Sequence, residues 1–244
     1  MTSQRFLASP DQSAMQTGMT VIRSVPIIAP PLPDLLKKAI RCCALSLLIL
    51  FFDGLAAGQT IGNITIVHGA VTIKRPGEQE APARRTGALL VGDVVRTTGN
   101  AAAQVALTDD SFINIAPNSS LRVNQYSFEP KEDRRTVVVR VLEGRARFIV
   151  YKKRAVSALR VESPSSLITS HGLADFVVSA SVAGTEAVVL NQSIEVKNGN
   201  SLIIGNVGLG ANQKVMVTEK SPPSQPVVIS PEERRALLKA LSVN

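Results

Sequence analysis

The stretch 107–121, LTDDSFINIAPNSSL, sets two adjacent carboxylates, Asp109 and Asp110, beside the hydroxyl of Ser111. Such a trio could supply the acid, base and nucleophile of a hydrolase if both carboxylates reached one cleft with well-separated pKa values. His68 and His171 are the only histidines, and Ser170 and Asp175 lie close to the second, the makings of a dyad. Spacing argues otherwise. Neighbouring strand residues point to opposite faces, whereas aspartate bonds its own backbone in turns and tolerates left-handed geometry. Asp109–Ser111 therefore reads as a turn, and each histidine abuts a glycine, Gly69 or Gly172, in a connection. No His, Cys and carboxylate cluster has metal-ligand spacing. NVGLGAN at 206–212 lacks the third glycine and the Lys-Ser/Thr pair of a phosphate-cradling loop, so it reads as a turn. No catalytic residue, cofactor or metal is expected. A hydrolase built around His171, Asp175 or residues 109–111 is kept as a contrasting reading.

The elements that must position these residues are legible as strands. Ile64 and Ile66, Val71 and Ile73, Val105 and Leu107, Ile113 and Ile115, and Leu121 and Val123 recur in period two between Gly, Asn, Asp and Pro. Similar runs follow to residue 218, with no helical period longer than two turns between 60 and 220. The pattern predicts an all-β domain over 59–220, a β-solenoid or β-sandwich-like stack of about a dozen short strands. The close, aromatic-poor rhythm tilts the choice toward a solenoid-like stack. Residues 221–244 read as a proline-rich linker and a short C-terminal helix, with Ser230 as N-cap, Pro231 at the first position and Glu233 completing a capping box. Leu237, Ala240 and Leu241 share one face, which predicts a helix docked to cap a sheet end; the other reading is a partner-binding helix.

The 244-residue chain has no Trp, two Tyr and seven Phe, and 45% hydrophobic residues, so its core must be mainly aliphatic. Lys37, Lys38 and Arg41 precede the apolar run CCALSLLILFF at 42–52, and small residues follow. The run falls short of the ~20 residues a spanning helix needs, so 37–58 reads as a signal peptide cleaved between Ala56 and Gln59, or as a signal-anchor. Residues 1–36, with five prolines, read as a disordered extension; either Met19 is nearer the true start or a cytoplasmic tail precedes an anchor. Both cysteines, Cys42 and Cys43, lie in the apolar run, so a processed domain carries no thiol or disulfide. This points to a periplasmic or secreted bacterial protein, anchored in the inner membrane if the signal stays; membrane contact would run only through residues 42–52.

Net charge is +8, and ten cations stand against three acids between 131 and 160. Arg134, Arg135, Arg140, Arg145, Arg147, Lys152, Lys153 and Arg154 form a basic belt, read either as a partner contact or as a solvated strand face. The partner would be an envelope protein or an anionic cell-wall polymer. Nucleic acid is not expected, since an exported chain this poor in aromatics has little to stack on bases.

The same residues carry a resemblance. GNITIVHGAVTI, RRTGALLVGDVVRTTGNAAAQVALTDDSFINIAPNSSL and VRVLEGRARFIV resemble the FecR-type domain, named for the periplasmic regulator of ferric citrate transport. Gly69, Gly92-Asp93, Thr97, Gly99, Asp110-Ser111, Pro117, Ser119 and Leu121 fall on its pattern. The likeness covers about 60–218, most specifically 84–121. Asp110 stands where the family's D-G-S has glycine, and Leu173 where Gly-Thr has threonine. The resemblance implies an exported, non-enzymatic β-domain for protein–protein or ligand recognition, with envelope signalling as its setting and no catalytic residues to carry over. Residues 1–36 are too short and proline-rich for the helical cytoplasmic domain of membrane-spanning anti-sigma members, so a complete sigma regulator is not expected. The rival is a structural or adhesion module that binds anionic polymer without signalling.

Overall fold

A computed structural model describes residues 59–242. The extension expected at 1–36 and the signal or anchor expected at 37–58 lie outside them. Strands occupy β1 Thr60–His68, β2 Val71–Lys74, β3 Ala81–Pro82, β4 Ala88–Leu90, β5 Val94–Thr97, β6 Ala102–Leu107, β7 Ser111–Ile115 and β8 Ser119–Glu129. They continue as β9 Arg134–Val150, β10 Val156–Glu162, β11 Ser166–Ser170, β12 Ala174–Ser181, β13 Gly184–Gln192 and β14 Ile194–Asn198. β15 Asn206–Leu209, β16 Gln213–Val217, β17 Val227–Val228 and helix α1 Pro231–Ala240 complete the described residues. The all-β class and the C-terminal helix are as expected; the 17 strands exceed the expected dozen.

Pairing divides the strands into two sheets that share β9. Sheet I runs β4–β1–β6–β7–β9–β12–β13–β16–β17. Sheet II runs β3–β2–β5–β8–β9–β10–β11–β14–β15. Residues 134–143 of β9 lie in sheet II and 144–150 in sheet I. The strand crosses from one sheet to the other at Gly144, whose φ is +79°. Only glycine fits there, because a Cβ would overlap Asn118 O and Ser119 Oγ. After the loop 151–155 the chain returns to sheet II as β10, parallel to the first half of β9. Among the described residues this is the one parallel pair and the one solenoid-like coil; every other pair is antiparallel, so the stack is mainly a sandwich of hairpins.

The inward residues of both sheets merge into one aliphatic core, with Val95, Leu121, Val139 and Val161 from sheet II against Ile64, Val105, Ile113 and Val178 from sheet I. Phe148 and Phe176 stack within it at 5.3 Å. Period-two reading places most of these correctly. It fails at Ile66, because a bulge between Ile64 and Ile66 shifts the register of β1. One extra residue flips the faces beyond it, so Val67 packs against the core instead.

α1 starts as its sequence dictates, with Ser230 Oγ accepting from Glu233 N at 3.1 Å and Pro231 in the first turn. It covers a sheet face rather than a sheet end. Leu237 and Leu241 pack with Ala116, Val177, Val188, Leu190 and Ile229 on the outer side of sheet I, a second apolar cluster. Asn114 Nδ2 donates to Leu241 O at 3.4 Å, and Arg234 donates to Leu190 O at 2.7 Å. Among the described residues, no helix is long and apolar enough to cross a membrane.

Candidate functional site

The turn at 108–110 connects β6 to β7, as its spacing predicts, but its two carboxylates part company. Asp110 takes left-handed backbone, φ +69°, and points out to Lys152 Nζ at 2.7 Å. That ammonium holds its carboxyl below the usual aspartate range. Asp109 is fully buried and bridges the two sheets, accepting from Arg135 Nη1 at 2.9 Å and from Ser111 Oγ at 2.8 Å. Arg135 also donates to Ser111 Oγ at 3.1 Å and, through Nη2, to Ser157 Oγ. The space beside this cluster is only about 10 Å³, room for about one water. A substrate has no room there. Paired charges and hydroxyls wholly removed from solvent make a structural clamp between sheets.

Arg135 is thus a correction to the basic belt: at 1% exposed it cannot meet a partner, because its guanidinium neutralises Asp109. The rest of the belt does not form one surface. Arg134 lies exposed beside Glu132 at 3.7 Å. Arg140 faces outward from sheet II, whereas Arg145 and Arg147 face outward from sheet I. Arg147 is locked bidentately to Asp175, with both contacts at 2.8 Å, which raises its pKa further. Arg145 Nε donates to Ser179 Oγ at 2.9 Å. In the β9–β10 loop, Lys152 pairs with Asp110, and Arg154 lies near Asp110 and Asp133 and over the Phe128 ring at 4.8 Å. Lys153 points into an open groove of about 650 Å³ beside His171, Thr169 and Glu195.

The histidines do not meet. His68 ends β1 at the opposite end of the sandwich from His171, which sits in the β11–β12 turn. Asp175 is held by Arg147, and Ser170 Oγ donates to Gly172 O at 3.4 Å, so neither serves His171 as a dyad partner. Among the described residues, no group of His, Cys, Asp or Glu is arranged to hold a metal.

The remaining motif residues tie turns. Gly92 takes φ +91°, and buried Asp93 accepts from Leu90 N at 2.9 Å. Burial raises the Asp93 pKa, against the opposing pull of the Leu90 amide and of Arg75 at 3.5 Å. Thr97 Oγ1 donates to Ala116 O at 2.6 Å and accepts from Ser119 N at 3.0 Å. Asn118 accepts from Gly99 N at 2.9 Å. These contacts stitch each turn of one sheet to a strand end of the other.

The geometry defines a two-sheet β-domain whose distinctive polar residues fix turns and inter-sheet clamps. In comparison with known proteins, residues 93–195 match the model described as FecR protein. The match spans β5 to the first two residues of β14 and leaves the rest of the sandwich outside it. Two crystal structures of a candidate anti-sigma factor from Parabacteroides distasonis ATCC 8503, at 2.50 and 1.65 Å resolution, are similar at TM-score 0.47 and 19% identity. Each covers 59% of this chain, and this chain spans 63% and 64% of theirs. No curated protein matches.

Proposed function

We propose that this chain is a non-enzymatic recognition module of the bacterial envelope that takes part in signalling by contact with a protein partner. The observation that supports it best is the FecR match over 93–195, joined to the sealing of the Asp109–Ser111–Arg135 cluster. The domain lies on the periplasmic or secreted side. Contact runs through outward cations such as Arg134, Arg140, Lys152 and Lys153, with Arg135 removed from that set by burial.

The test is genetic. Cells lacking the chain should show an altered transcript profile that plasmid-borne full chain restores. An unaltered profile under envelope stress and under nutrient limitation would overturn the signalling reading. Salt-dependent pelleting with purified peptidoglycan separates the rival, since charge-driven polymer binding falls steeply with ionic strength.

A further inference from the structure

Register brings together four arginines that lie far apart in sequence. Arg122 on β8 stands directly opposite Arg140 on β9. Arg96 on β5 pairs with Ser120 while Val94 pairs with Arg122, which sets Arg96 diagonal to Arg122. Arg160 on β10 pairs with Val138 while Glu162 pairs with Arg140, which sets Arg160 diagonal to Arg140. Their strand neighbours Val95, Leu121, Val139 and Val161 are buried, so all four guanidiniums leave the outer face of sheet II. With strands ~4.8 Å apart, the row crosses about 15 Å of flat sheet.

Several other cations of the domain are paired, although among the described residues Arg84, Arg85, Arg145 and Lys153 are not. Arg75, Arg147, Lys152, Arg154, Lys197 and Lys214 each stand within ion-pair distance of a carboxylate. Among the described residues the four arginines make no ion pair; Arg122 Nε donates only to Asn124, at 3.0 Å. The acids nearest the row on this face are Glu162, engaged by Asn124 Nδ2 at 3.2 Å, and Glu143, opposite Ser120; Glu129, opposite Arg134, and Glu195, opposite Thr169, lie farther out. Like charges directly opposite one another weaken a sheet, so stability does not explain the Arg122–Arg140 pair.

We propose that the outer face of sheet II docks an acidic segment of a partner protein, whose carboxylates the row Arg96–Arg122–Arg140–Arg160 receives. This rests on the protein-recognition reading above and names the surface and the chemistry of the partner. Every member is arginine, the residue whose planar fork takes a carboxylate bidentately. Val94 and Leu167, both half-buried, lie on the same face, and the mixture of arginine with aliphatic side chains is that of a protein interface. A bilayer headgroup layer or a glycan would leave those aliphatics without an apolar counterpart.

The test measures fluorescence anisotropy of a labelled ten-residue peptide alternating glutamate with serine and valine, titrated with full chain. Binding that weakens with salt is expected. Arg122→Glu/Arg140→Glu should lower affinity at least tenfold and Arg122→Lys/Arg140→Lys severalfold, while Arg84→Glu/Arg85→Glu, in the exposed β3–β4 connection, should stay within twofold. Circular dichroism melting of each variant shows that the fold is kept. The proposal is overturned if the Arg122/Arg140 reversal binds as wild type, or if the Arg84/Arg85 reversal weakens binding equally. It is also overturned if the Arg122/Arg140 reversal lowers binding to phosphatidylglycerol vesicles but leaves peptide binding unchanged. Peptide docking lost on reversal, in cells whose transcripts do not depend on the chain, would leave the surface standing and remove only the signalling reading.

Discussion

At the residue scale, Asp109 and Asp110 are sequence neighbours with unlike roles. Asp109 and Arg135 form a buried pair whose partners cannot be removed singly without cost, since the survivor is a charge without compensation. Arg135→Ala should lose about 3–5 kcal/mol in denaturant unfolding. At Asp110 the left-handed backbone makes glycine the natural occupant. Asp110→Gly should change stability by less than about 1 kcal/mol, because relief of strain offsets an exposed ion pair, whereas the β-branched Asp110→Val should cost ~2 kcal/mol. Asp93 gives a pH signature. Its folded pKa is raised, so the ionised form is disfavoured on folding and stability is gained as pH falls through the folded value toward 3.8. The urea midpoint of wild type relative to Asp93→Asn should therefore rise between pH 7 and pH 4; a constant difference would contradict the burial argument. The Asp109–Arg135 pair was not legible in sequence. Asp109 lies in the turn between two strands of sheet I and Arg135 on a strand of sheet II, and arginine is so seldom fully buried that an outward belt residue was the natural reading.

At the element scale, the strands were legible because alternation between buried and exposed faces is written into each one. Their pairing was not, since it joins residues far apart in the chain, such as Arg96 with its neighbours on β8. The bulge in β1 was also hidden: nothing in ITIV marks which isoleucine turns outward. Glycine at 144 was legible as a turn, and its role as the crossover between sheets became clear only from the packing of Asn118 and Ser119 on it. The helix start was legible from Ser230, Pro231 and Glu233, but not its seat on Val177, Val188 and Leu190. Ser230→Ala should cost about 1 kcal/mol at the N-cap. Because that loss falls on α1 and the face beneath it, hydrogen exchange should quicken at Val177 and Leu190 while Val139 and Val161 stay protected.

At the scale of the whole molecule, the family pattern describes how two sheets are held in register more than it describes a surface. Gly92-Asp93, Thr97, Asp109-Ser111 and Asn118-Ser119 spend their polar groups on turns and on clamps between sheets. Of the outward faces, that of sheet I is covered by α1 and that of sheet II bears the arginine row. The residue that most resembles a nucleophile, Ser111, is 5% exposed and donates into Asp109. The most direct measurement is complementation by Ser111→Ala of cells lacking the chain, read as transcript profile beside the melting temperature of the purified variant. The expected result is full complementation with melting lowered by only a few degrees, the loss of about one hydrogen bond in a domain of this size. A variant that melts like wild type yet fails to restore the profile would contradict a module that works by its surfaces.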